Sequence, residues 1–136
     1  MRHIKHLLAS KFLFILALLY TIFITTGSLI NTSSLPNLKG AISDKLIHSV
    51  SYFFLMLFWA LYFLFKHQSE KVKTLLLVTA CLVFVYGIII EVLQEVLSES
   101  RTADVLDVAA NTAGIIVAVL GLTIFQKKIL KLKSKN

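Results

Sequence analysis

Four long apolar runs, set apart by short polar stretches, organise this chain. The first covers residues 12–30 (FLFILALLYTIFITTGSLI) and the second 46–65 (LIHSVSYFFLMLFWALYFLF). The third opens at Thr74 and runs over 74–93, and the fourth covers 105–125 (VLDVAANTAGIIVAVLGLTIF). A helix rises about 1.5 Å per residue and a bilayer core is about 30 Å thick, so each run is long enough to cross as a helix. Backbone amides in lipid must be satisfied within their own segment, which selects helix over isolated strand. The pattern predicts an all-α, four-helix transmembrane bundle forming one domain over residues 1–136. Between the runs lie a linker at 31–44 with Pro36 and Gly40, a charged loop at 66–73 and a basic tail at 126–136. Proline, glycine and serine mark the linker as loop, and Ser43 or Asp44 is placed to cap the second helix. The first run follows Arg2, Lys5 and Lys11, as the core of a secretory signal would. It is long for one and no A-x-A site follows, so it is expected to remain as a span.

Composition agrees, since 57% of residues are hydrophobic and mean hydropathy is +0.84, where soluble domains usually hold roughly 45–50% apolar residues. The net charge of +7 changes the picture only through its placement. With the N-terminus inside, Arg2, Lys5, Lys11, Lys66, Lys71, Lys73, Lys127, Lys128, Lys131, Lys133 and Lys135 lie on the cytoplasmic side. Lys39, Lys45 and Arg101 lie outside, a division of 11 against 3. That bias predicts an N-in, C-in topology and a multi-pass protein of the bacterial cytoplasmic (inner) membrane. His3, His6 and His67 then fall on the cytoplasmic side, near headgroups. There is no basic stripe with interleaved aromatics, so no nucleic-acid partner is expected. The single cysteine, Cys81, sits in an apolar run and reads as a small hydrophobe. Nothing in the sequence fixes an oligomeric state.

The acids are as lopsided as the bases: Glu70 alone is inside, while Asp44, Glu91, Glu95, Glu99, Asp104 and Asp107 gather towards the outer side. Acidic residues set orientation weakly, so this asymmetry asks for another cause. By helical rise, His48 and Asp107 lie a few Å inside the outer boundary, Asn111 roughly 9 Å and Tyr52 roughly 10 Å in, and Glu91 roughly 26 Å up the third span. Asp44, His48 and Tyr52 are spaced i, i+4, i+8; Gly87, Glu91 and Gln94 are spaced i, i+4, i+7, as are Asp107, Asn111 and Gly114. Each set forms one stripe on its helix. An ionisable group facing lipid costs about 2.5–3.5 kcal/mol at mid-membrane, so the three stripes are expected to face one another near the outer surface. Taken singly, the pieces have plainer readings. Gln94 and Asn111 could be interhelical glue, the three glycines Gly87, Gly114 and Gly121 close-packing positions, and Arg101 a counter-charge for Glu99 and Asp104. Glu95 and Glu99 are expected in solvent, and Trp59 and Tyr62 in the core or interface.

These residues resemble the VanZ-like family, named for a protein linked to resistance to the glycopeptide teicoplanin. The family pattern, loosely D-K-x-x-H with a following aromatic, then E-x-x-Q, then R-x5-D-x3-N-x2-G, stands here as Asp44-Lys45…His48…Tyr52, Glu91…Gln94 and Arg101…Asp107…Asn111…Gly114. The resemblance spans about residues 44–121. Asp104 stands where many relatives carry serine.

Two functions follow as expectations. The first is an intramembrane enzyme at the outer face acting on a membrane lipid or lipid-linked envelope precursor. His48, Glu91 and Asp107 would be the acid/base groups, since imidazole is suited to take and return a proton near neutral pH. Asp44, Lys45, Gln94, Arg101 and Asn111 would bind substrate, Lys45 and Arg101 through an anionic headgroup. No serine, threonine or cysteine nucleophile lies in the stripes, which favours direct acid/base or metal-assisted chemistry. His48, Glu91 and Asp107 could ligate a divalent ion. No H-E-x-x-H-like spacing is present, however, so no metal ligand and no cofactor is assigned. The second function is a non-enzymatic binder of the same ligands. A transporter fits less well, because there is no inverted repeat and the polar set lies at one face rather than the midplane.

Overall fold

The computed structural model describes residues 2–29, 41–67, 71–97 and 104–135, with side chains described from residue 10 to 131 within those segments except 41–43. They form four helices: α1 (Arg2–Leu29), α2 (Ala41–Lys66), α3 (Val72–Leu97) and α4 (Val105–Lys135). All four contain stretches long and apolar enough to cross a membrane, so the chain is a multi-pass membrane protein. The helices overrun the apolar runs that forecast them. α1 begins ten residues early and α4 continues through the basic tail to Lys135. Lysine and leucine are good helix formers, and no proline or glycine interrupts either extension. α2 starts at Ala41, so Asp44 is not its cap. It lies in the first helical turn, where a carboxylate favourably meets the helix dipole.

α2 is the central element. It packs most extensively on α4, then on α1, and also touches α3, while α3 bridges to α1 and α4. The common core is built from Leu55, Met56, Ala60, Val83, Ile115, Ala118 and Leu122, with Ile24, Leu76 and Leu64 around it. Phe12, Leu19, Phe23, Leu82, Val85, Ile89, Val117, Leu120 and Ile124 are exposed on the outside of the bundle. An apolar exterior around an apolar core suits lipid as solvent, in which interhelical hydrogen bonds and close packing replace the hydrophobic effect as glue.

Those ties are concentrated on α1. Trp59 Nε1 donates to Thr21 Oγ1 at 3.0 Å, the Thr25 and Tyr86 hydroxyls pair at 2.8 Å, and Tyr20 Oη donates to the Ser51 carbonyl at 3.3 Å. Such bonds average about 0.6 kcal/mol each in membrane bundles. Aromatic contacts line the same seam, with Phe14 against Tyr62 and Tyr20 edge-on to Phe58 at 5.1 Å. Trp59 and Tyr62 thus lie between helices, as expected.

Candidate functional site

The polar cluster forms at the end of the bundle where α2 and α4 begin and α3 ends. Its position depends on two glycines. A Cβ at Gly114 would overlap the Ser49 carbonyl oxygen and lie 2.9 Å from the Phe53 amide nitrogen, so the α4 and α2 backbones touch there. Ser49 follows His48 and Gly114 lies one turn beyond Asn111, so this contact brings those two side chains within reach. On α3, Gly87 makes room for the Tyr52 ring, whose Cε1 would lie 3.0 Å from an added Cβ. At Gly121 an added Cβ would meet no atom of the described residues within 4 Å, so among them it is not a packing position.

Around this contact the three stripes converge. The buried face of α3 includes Gly87, Glu91 and Gln94, and Glu91 and Asn111 are 3% and 2% exposed. His48 Nδ1 lies 3.1 Å from Asn111 Oδ1, and Asn111 Nδ2 donates to Glu91 Oε1 at 3.3 Å. His48 Nδ1 is also 3.7 Å from Glu91 Oε1, while Nε2 is 4.0 Å from Asp107 Oδ2. The imidazole therefore stands between two carboxylates on opposite edges. The Asn111 NH2 is turned to Glu91, so its carbonyl oxygen faces the ring and can only accept. In the neutral imidazole, Nδ1 must then carry the hydrogen, which leaves the Nε2 lone pair facing Asp107.

Lys45 sits one turn towards the membrane surface and pairs with both Asp104 and Asp107. Asp104 also caps α4: its Oδ1 accepts from the Leu106 amide at 2.8 Å and its carbonyl accepts from Val108 at 3.3 Å. The Lys45 ammonium, with help from the Leu106 amide, holds the Asp104 carboxyl below its ordinary 3.8. The sequence reading gave Asp104 no role beyond a loop charge. An aspartate just before a helical run, three residues ahead of a second aspartate, was the available signal.

Of the residues singled out from sequence, Asp44, Lys45, His48, Glu91, Asp107 and Asn111 come together. Gln94 is buried beside them, but its Nε2 donates to the Ser28 carbonyl of α1 at 3.0 Å, so it acts as an interhelical tie. Arg101 and Glu99 lie outside the described residues. Glu95 is exposed, as expected. A cavity of about 270 Å³ opens between α1, α2 and α3, lined by Phe23, Ser28, Asp44, His48, Tyr52 and Gln94 among others. Asp44, His48 and Asp107 each offer a ligand atom, all within 4.8 Å of one another. The trio able to hold an ion thus contains Asp44 where the sequence suggested Glu91, which faces the other edge of the ring.

Comparison with curated proteins and with solved structures found no match. A family match does cover most of the chain, from residue 9 to 126, taking in all three polar stripes and the first span. The chain belongs to the VanZ/LLP1 family.

Proposed function

We propose that this membrane protein acts on a lipid or lipid-linked envelope substrate at the outer face, by acid/base chemistry centred on His48. The observation that carries the reading is the fixed imidazole. Asn111, itself held by Glu91, directs Nδ1 inward and leaves Nε2 free to take a proton beside Asp107. A proton taken by Nε2 would stand between Asp107 at that edge of the ring and Glu91 at the other. Asp107 faces the proton-accepting nitrogen, and Glu91 positions the ring through Asn111. The outer-face placement rests on the lysine and arginine bias, since the cluster lies at the end opposite the basic loop and tail. Lys45 is already paired, so an anionic headgroup would reach it by exchanging with Asp104, the more exposed of its two partners. By resemblance to the teicoplanin-linked member of the family, a change in the envelope would alter susceptibility to glycopeptides.

A second reading is favoured by the cavity beside His48, whose walls combine apolar side chains with Asp44, His48 and Gln94. That combination suits the junction of a headgroup and an acyl chain, and the protein would then be a binder without chemistry. One comparison separates the two: wild type against His48→Ala and Glu91→Gln, with envelope lipids followed by mass spectrometry. An enzyme predicts the same lipid species accumulating or disappearing in both variants. A binder predicts unchanged lipids and loss of a lipid that co-purifies with wild type. If both folded variants match wild type in lipids, bound lipid and glycopeptide susceptibility, neither reading stands.

A further inference from the structure

We propose that Asp44, His48 and Asp107 hold a divalent transition-metal ion of the zinc or manganese class. The proposal rests on the reading of this cluster as the working site, and it names an occupant for the Nε2 edge of His48 other than a proton.

Three features support it. The ligand atoms of Asp44, His48 and Asp107 come from two helices and all lie within 4.8 Å of one another. Ligands of a tetrahedral ion with bonds of about 2.1 Å stand roughly 3.4 Å apart, so side-chain rotations closing at most about 1.4 Å would complete the set. One imidazole and two carboxylates suit zinc or manganese, and three protein ligands leave a further position open. Next, the far edge of the ring is arranged as metal-binding histidines usually are. Nδ1 is engaged by an amide that is itself held by a carboxylate, which fixes the tautomer and presents Nε2 as the donor. Finally, the Tyr52 hydroxyl is buried, with the residue 2% exposed, and has no hydrogen-bond partner among the described residues. Its ring packs on Gly87 of α3, and the residue lies one turn along α2 from His48 and lines the cavity that Asp44 and His48 also line. A buried hydroxyl without a partner calls for a polar occupant beside it.

Charge points the same way. Asp44, Glu91, Asp104 and Asp107 surround one lysine and one histidine, so the described cluster attracts cations. Lys45 is the internal competitor, because its ammonium already rests on Asp107. It is partly exposed, at 27%, and can swing towards solvent when an ion arrives.

The test uses the full-length protein, purified in detergent, stripped with chelator and titrated calorimetrically with zinc or manganese chloride, with bound metal counted by elemental mass spectrometry. The expected result is one ion per chain, with affinity weakened by about tenfold or more in Asp107→Asn and in Asp44→Asn. Lys45→Gln should bind more tightly than wild type, because Asp107 loses its competing cation. Helical circular dichroism identifies the variants that have folded. No saturable binding by wild type overturns the proposal, as does equal affinity in the folded Asp44→Asn, Asp107→Asn and Lys45→Gln variants. Loss of the lipid phenotype in His48→Ala without any metal binding would overturn the ion while leaving the acid/base reading intact.

Discussion

Asp104 shows how one side chain joins two parts of the structure. Its carboxylate caps α4 and at the same time receives Lys45 from α2. Its carboxyl is depressed below 3.8, so the stabilisation is present above the unfolded value and is lost as pH falls through the folded one. The group is exposed, so solvent screens the pair and its contribution to stability is small. A carboxyl-detected NMR titration should place the Asp104 midpoint below 3.8, and Lys45→Gln should move it upwards. A midpoint unmoved by that substitution would break the pairing. The same lysine explains why a sequence expectation has to be refined. With Arg101, Lys45 is expected from sequence to bind an anionic headgroup, as a cation at the outer end of the spans. Its two carboxylate partners, Asp104 at the cap of α4 and Asp107 in its first turn, are some 60 residues away, and spacing within α2 carries no information about them.

At the level of helices, the glycines divide by what they face. Alanine at Gly114 would drive a methyl group into the α2 backbone, which cannot move without separating the two helices. Overpacking of this kind costs about 1–3 kcal/mol, and a backbone obstacle puts Gly114→Ala at the upper end or beyond. Gly121→Ala meets nothing among the described residues and should be neutral or stabilise by up to about 1 kcal/mol through helix propensity. Equilibrium unfolding of the two variants in mixed micelles checks the pair, and equal effects would contradict the close α2–α4 contact. The sequence placed all three glycines in one class, since each lies in an apolar run. Only the partner helix distinguishes Gly114 from Gly121. What the runs did make legible was the number and order of the spans, because a bilayer demands long apolar segments whatever their packing. Their ends were less legible. Lysine-rich and leucine-rich flanks continue a helix without being apolar enough to announce it, as the ends of α1 and α4 show.

For the assembled bundle, stripe spacing was the strongest signal. Charged and amide groups on three apolar helices have few places to go in lipid, and His48, Glu91, Asp107 and Asn111 do meet. That Gln94 could tie helices together was legible, but its partner on α1 was not, because the acceptor is a backbone carbonyl, which no sequence pattern marks. Orientation rests on the lysine and arginine bias. In a Cys81→Ala background, a membrane-impermeant maleimide should label Ser33→Cys in intact cells and Ser69→Cys only after permeabilisation; the reverse pattern would invert the topology. The site itself, however, depends on side chains from separate spans interacting around one imidazole. A double-mutant cycle on His48→Ala and Asn111→Ala, read from equilibrium unfolding, measures that interaction across α2 and α4. A coupling of about 0.5 kcal/mol or more is predicted, with a similar cycle linking Asn111 to Glu91 on α3. Additivity in both cycles within about 0.3 kcal/mol would mean that the three helices do not share a site.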